Sequence, residues 1–202
     1  MKKKILFITL CWCLILMLPV SVKASNVEQE YPWNGKGTAS DPYIINDKSD
    51  LKEFAECVNK GIDFKGKFFA QTSSIDLNNE NWVPIGTEEN VFNGTYDGQG
   101  NSISNLLIEK SRDEEKTIAG FFGNVGGTVA NLEIESGRIS AYHAGAIAVK
   151  SSGSTALIIN CYNKAEVEGV YAEGVDQMFS REGIAAFYNE VFNEIDIFQN
   201  NI

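Results

Sequence analysis

Histidine is almost absent from this chain of 202 residues, and that scarcity excludes a good deal of chemistry. The one histidine, His143, cannot supply the two that an H-E-x-x-H zinc site requires. A Ser-His-Asp arrangement would have to use that same residue, and no G-x-S-x-G elbow accompanies it. Basic residues are also outnumbered: 17 Lys and Arg stand against 27 Asp and Glu, a formal net charge of −10. Such a balance argues against nucleic acid or anionic lipid as a partner. Cysteine is scarce too, with four in all, and Cys11 and Cys13 lie in the first two dozen residues. The remaining pair, Cys57 and Cys161, is no disulfide framework; two small buried hydrophobes is the plain reading and one bridge the alternative. Beyond the N-terminus no apolar run is long enough to span a bilayer, and no LPxTG-like sorting motif is found near the C-terminus.

The N-terminus reads as a secretory signal peptide over residues 1–24. Lys2, Lys3 and Lys4 form the basic start, Ile5 to Val20 the apolar stretch, and Val22-Lys23-Ala24 the small-residue cleavage site. The apolar stretch falls short of a membrane-crossing helix and is interrupted by Pro19. Cleavage after Ala24 removes four lysines and no acid, which takes the net charge from −10 to −14. The expected location is secreted or cell-surface.

Residues 25–34 read as a flexible leader and 35–78 as an N-terminal cap. Within that cap Leu51, Phe54, Ala55 and Val58 recur at helical spacing behind Asp47, Ser49 and Asp50, which offer capping oxygens, and Gly61 closes the element. The spacing predicts a helix over 50–59. From Lys67 the period changes to two, and short strand-like pieces such as Phe68–Thr72, Ile75–Leu77 and Val83–Ile85 alternate with Ser, Asn and Gly.

Residues 79–170 repeat. Asn105, Asn131 and Asn160 each follow or open a short apolar strand, at steps of 26 and 29, and Ala119-Gly120-Phe121 recurs as Ala144-Gly145-Ala146 at a step of 25. A period in the twenties fits the coils of a parallel β-solenoid, in which each turn buries its apolar side only when the next stacks on it. The expected fold is mainly β, a parallel β-helix with an N-terminal capping helix and a C-terminal helix. Asparagines at equivalent corners are expected to form a ladder. Leu106 and Ile108 are expected to lie over Leu132 and Ile134, with Val125, Val129, Ile139, Ile147, Ile159 and Val167 completing the core. Residues 171–202 carry Ile184, Phe187, Tyr188, Val191, Phe192, Ile195 and Phe198 at helical spacing. A helix covering the open end of the solenoid and the tail of a truncated gene are both compatible with this pattern.

The chain resembles bacterial exported proteins with GLUG-motif repeats over roughly Trp33 to Gly169. The strings that carry the resemblance are Gly37-Thr38-Ala39-Ser40-Asp41-Pro42-Tyr43, Trp82-Val83-Pro84-Ile85-Gly86, Phe92-Asn93-Gly94-Thr95-Tyr96-Asp97-Gly98 and Ala119-Gly120-Phe121-Phe122-Gly123. Ala144-Gly145-Ala146-Ile147-Ala148-Val149 departs from the motif by lacking its second glycine. The resemblance implies a right-handed β-helix, export, and a place at the cell surface or in secreted multidomain proteins. Some relatives join such repeats to peptidases, including metallopeptidases that cut immunoglobulin A.

No residue is assigned here as catalytic, cofactor-binding or metal-binding, and no cofactor is expected. Paired-carboxylate sugar chemistry is the enzymatic alternative, with Asp76, Asp97, Glu133 and Glu135 as its candidates. Each has a plainer role in a turn or on a solvated face. Calcium at Asp41 or Asp76 lacks a D-x-D-x-D-G run, His143 suits a corner, and Asn93-Gly94-Thr95 matches a glycosylation sequon that also suits a turn. Tyr96, Tyr142 and Tyr162 lie near corners, where core or corner packing is the plainer role and recognition the alternative. The expected function is a non-catalytic surface or adhesion-like binding or scaffold module, with a glycan or a host or cell-surface protein as partner. A polysaccharide-active enzyme and a non-catalytic fragment of a larger surface peptidase are the alternatives.

Overall fold

The computed structural model describes residues 31–114, 116–153 and 156–171. The signal peptide and the helical segment expected after Tyr171 lie outside the described residues, as does most of the leader.

Tyr43–Ile45 forms β1, and Lys48–Asn59 forms helix α1, two residues earlier than the apolar spacing suggests. The cause is Asp47, whose carboxylate accepts the amides of Ser49 at 2.7 Å and Asp50 at 3.0 Å and so caps the first turn. At the other end Lys60 and Gly61 donate back to Glu56 and Val58, and Gly61 takes the positive φ of 101° that the termination requires. Leu51, Phe54, Ala55 and Val58 are the buried face.

Among the described residues fourteen short strands follow. The first turn holds β2 (Phe68–Gln71) and β3 (Ile75–Asp76). The second holds β4 (Thr95–Asp97), β5 (Ser102–Ser104), β6 (Leu106–Glu109), β7 (Ile118–Ala119) and β8 (Phe122–Val125). The third holds β9 (Thr128–Ala130), β10 (Glu133–Ile134), β11 (Gly137–Ala144) and β12 (Ala148–Ser151). The last described turn holds β13 (Leu157–Ile159), β14 (Tyr162–Asn163) and β15 (Glu166–Tyr171). All named strand pairs are parallel and join successive turns, so the chain is a parallel β-solenoid of about four turns. Its longest sheet runs β1-β2-β4-β9-β13; a second runs β3-β5-β10-β14, a third β6-β11-β15, and a fourth pairs β8 with β12. β1, β2 and β3 stand in these ladders, so the stacking begins well before residue 79.

Stacking follows a register that differs from the expected one. Ile103 lies beside Ile75 and Ile134, and Ile108 beside Ile139, so Leu106 and Ile108 do not stack over Leu132 and Ile134. The expectation equated Asn105 with Asn131, yet each turn has two corners, and Asn105 stands at the one that holds Asp76 while Asn131 stands at the one that holds Asp97. The reason is an excursion. Glu109 faces Ser140 and Ile118 faces His143, so residues 110–117 of one turn run opposite only Ala141 and Tyr142 of the next. That insertion stretches the step to 31 residues at Leu106 and Gly137 and returns it to 25 at Ala119 and Ala144, the step already visible in the repeat.

The interior is a column of alternate residues. Tyr43, Phe69, Tyr96, Val129 and Ile158 are in register and buried. Val125, Ile139 and Ile147 are buried as expected, whereas Ile159 and Val167 are only half-buried; in β13 the inward residue is Ile158. The Phe54 ring of α1 enters this column, 4.4 Å from Phe69, 5.3 Å from Phe92 and 5.8 Å from Tyr96. Trp33 joins the same cluster and its indole N–H reaches the Asp50 carbonyl, so the end of the stretch read as leader is packed. One polar pair is enclosed: the Tyr96 hydroxyl donates to Gln71 Oε1 at 2.9 Å, while Gln71 Nε2 donates to the carbonyls of Ser73 and Ser102. Burial therefore leaves neither group unsatisfied, and it pushes the Tyr96 phenol far above its ordinary pKa.

Two lysines of α1, Lys48 and Lys52, hold the Glu80 carboxylate, which ties the helix to the turn after β3. Their hydrogen bonds bring the Glu80 pKa from 4.5 down to about 2. A carboxylate depressed in the folded state stabilises fully above its unfolded pKa and loses that contribution as pH falls through its folded one. The window is thus pH 4.5 to about 2. Thermal melts of Glu80→Gln across that window should show a shallower loss of stability with acid than the parent, the exposed site keeping the effect modest. Parallel curves for the two proteins would remove Glu80 from the acid response.

Candidate interaction surface

Two corners carry amide and carboxylate ladders. At the first, Asp97 Oδ1 accepts from the Gln99 amide and from Asn131 Nδ2, each at 2.9 Å. Asn131 Oδ1 then accepts from Asn160 Nδ2 at 2.7 Å, and Asn160 Oδ1 accepts from the Tyr162 hydroxyl at 3.1 Å. At the second, Asp76 Oδ1 accepts from the Asn78 amide at 2.7 Å and from Asn105 Nδ2 at 2.8 Å. The Asn105 bond, and then the Asn78 amide, hold the Asp76 carboxyl below its usual range. Asn105, Asn131 and Asn160 all take φ of 52–54°, the left-handed bend that turns the chain from one sheet to the next. The expected ladder exists, divided between two corners.

The glycines of the Ala119-Gly120-Phe121-Phe122-Gly123 string are set by close approach between turns. A Cβ on Gly123 would lie 2.3 Å from the Gly86 carbonyl oxygen, and one on Gly120 2.5 Å from that of Gly145. Between them Phe121 stacks on Trp82 at 5.5 Å and 13°, and its carbonyl accepts the Trp82 indole N–H at 3.0 Å.

The four candidate carboxylates are not brought together as an acid–base pair by any described contact. Asp76 and Asp97 occupy the separate corners above. Glu133 pairs with Lys164, and Glu135 accepts from the Ser102 hydroxyl at 2.9 Å. Asp41 faces Lys36 at 3.5 Å, and among the described residues no group of three or more His, Cys, Asp or Glu is placed to hold a metal ion. His143 is half-buried in β11, with its ring edge-on to Tyr142 at 5.0 Å. Of the three tyrosines, Tyr96 is wholly buried and so unavailable to a ligand, Tyr142 is half-buried, and Tyr162 is 59% exposed. Asn93 of the sequon is half-buried and donates its amide to the Asp63 carbonyl. Among the described residues Cys57 and Cys161 are free thiols; burial pushes Cys161 up to about 11, and burial with nearby Glu53 raises Cys57.

The excursion at 110–117 is the feature the repeat pattern concealed. Thr117 closes its neck, its hydroxyl donating to the Ser111 carbonyl and accepting the Tyr142 amide. Beside it Arg138 lies 3.4–3.6 Å from Glu109, Glu166 and Glu168, and Arg112 reaches Glu168 at 3.4 Å. The run Lys110-Ser111-Arg112-Asp113-Glu114-Glu115-Lys116 was its visible sign, since no β-coil strand carries so many consecutive polar residues.

The fold and these corners define a β-solenoid repeat protein. No family model matches the chain. It is 30% identical over 130 residues to Halomucin of Haloquadratum walsbyi, covering 59% of this chain and 1% of that protein. It is 28% identical over 93 residues to "Putative Gly-rich membrane protein" of Evansella cellulosilytica, covering 46% of this chain and 10% of that one. The chain thus spans only a small part of these relatives, whose names are those of surface or membrane proteins. A crystal structure from Bacteroides ovatus, described as a "putative immunoglobulin A1 protease", superposes with a TM-score of 0.51 at 23% identity. The match covers 65% of this chain and 40% of that one, and shows the shared fold. Among the described residues no helix is long and apolar enough to cross a membrane.

Proposed function

We propose that this chain is a non-catalytic, exported β-helix module of the GLUG-repeat type, working as a binding or scaffold element at the cell surface. What chiefly supports the reading is the use of the candidate carboxylates. Asp76 and Asp97 cap turns and anchor amide ladders, Glu133 is neutralised by Lys164, and Glu135 is held by Ser102. Such groups are structural members of a repeating surface. The surface-type names of the relatives and the signal-like N-terminus agree with export. A right-handed coil follows the strong preference of parallel strand crossovers. In this reading α1 caps the first turn through Phe54.

The purified protein, incubated with neutral and acidic polysaccharides and with immunoglobulin A, should release neither new reducing ends nor peptide fragments. Turnover that disappears in Asp76→Asn or Asp97→Asn would establish the enzymatic alternative instead.

A further inference from the structure

The outer face of the β1-β2-β4-β9-β13 sheet differs from the other outer faces. One row along it is Phe68, Thr95, Thr128 and Leu157, all in register and half-exposed. The parallel row from Ile44 to Ile159 contains a single ionisable group, Asp97, which its ladder already engages. On a chain of net charge −10 such a nearly uncharged strip is unusual. It is bordered by the Asp97–Asn131–Asn160 corner, and beyond that corner stands the exposed ring of Tyr162, its hydroxyl on Asn160.

We propose that this strip, its amide corner and Tyr162 form a binding site for a neutral, extended glycan lying along the solenoid axis. The inference rests on the non-catalytic binding reading above and names its ligand class. Size points to a thin polymer: five strands about 4.8 Å apart give a strip roughly 20 Å long and two side-chain rows wide. That is well below the ~800 Å² per partner that a stable protein interface buries. Charge points to neutrality, since an acidic ligand would meet both the overall charge and Asp97. Chemistry points to sugar. An apolar floor suits the C–H face of a pyranose, and a phenol ring suits stacking. The carboxamide NH2 groups of Asn131 and Asn160 each spend one hydrogen on the ladder and keep a second for a ligand hydroxyl. The amides recur at the spacing of the turns, so a polymer meets the same donors at successive residues.

The test is calorimetric titration of the full chain with cellohexaose, xylohexaose and mannohexaose, beside an oligogalacturonate of the same length. At least one neutral hexasaccharide should bind and the acidic one should not. Tyr162→Ala should weaken binding about tenfold and Asn160→Ala about fivefold, whereas Val83→Ala, at a strongly exposed apolar residue away from the strip, should leave it unchanged. Tyr162 is exposed, so its loss should leave the circular dichroism spectrum intact. No binding by any neutral hexasaccharide would overturn the site while leaving the non-catalytic reading in place. Binding untouched by Tyr162→Ala and Asn160→Ala, or equal binding of the acidic oligomer, would overturn it too. Cleavage of a bound sugar would support the site and defeat the non-catalytic reading.

Discussion

Gly127→Ala is expected to lower the melting temperature by roughly 6–12 °C, a cost of about 3 kcal/mol or more for a domain of this size. The cause is contact. A Cβ at this position would stand 1.9 Å from the carbonyl oxygen of Gly94 in the turn below, and 2.7–2.8 Å from the Asn93 carbonyl group. None of those atoms belongs to a flexible side chain. Thr128 donates to the Gly94 carbonyl at 2.9 Å and Leu157 to the Gly127 carbonyl at 2.9 Å, so the backbone is pinned on both sides and cannot yield cheaply. Gly100→Ala supplies the contrast. Nothing lies within 4 Å of its Cβ, but its φ of 78° is strained for any L side chain. That substitution should cost only the conformational term, about 1 kcal/mol. If Gly127→Ala melted within a degree or two of Gly100→Ala, close approach between turns would not be what requires the glycine.

Phe54→Ala is the second large effect, expected to destabilise by about 3–5 kcal/mol in denaturant titrations. Its ring is fully buried and meets Trp33, Phe64, Phe69, Phe92 and Tyr96 at centroid distances of 4.4–6.2 Å. Truncation leaves a ring-sized cavity in rigid surroundings, where neighbours already held by strand pairing cannot collapse into the space. Where the loss appears is as informative as its size. Hydrogen exchange should accelerate in β2 and β4 together with α1, because Phe69 and Tyr96 of those strands lose the same contact. Faster exchange confined to α1 would show that the helix is an appendage and not part of the solenoid core.

Much of this architecture was legible beforehand because the relevant signals are local. Leu51, Phe54, Ala55 and Val58 at helical spacing located α1, and alternation located Leu132 and Ile134 in the interior. Asparagines at 105, 131 and 160 marked left-handed corners. Which corner each one occupied was not legible. Asn105 and Asn131 open closely similar local sequences, Asn-Leu-Leu-Ile and Asn-Leu-Glu-Ile, and the pairing of Asp76 with one and Asp97 with the other separates them. The strip beside Asp97 was likewise invisible, since Thr95, Thr128 and Leu157 become one row only when their turns are stacked.

The sequence by itself therefore determined what depends on neighbouring residues: a solenoid of short strands, one capped helix, the corner residues, and an acidic chain with one histidine. The tertiary structure decided the register, the excursion at 110–117, the burial of Tyr96 with Gln71 and the exposure of Tyr162. The physical reason is that turn-to-turn pairing is long-range. An insertion of a few residues in one turn changes the sequence distance between every pair of positions that spans it, while hydrogen bonds between turns and the fit of side chains in the column hold the alignment in space. Local pattern records which face a residue presents; which residue lies above it is settled by stacking.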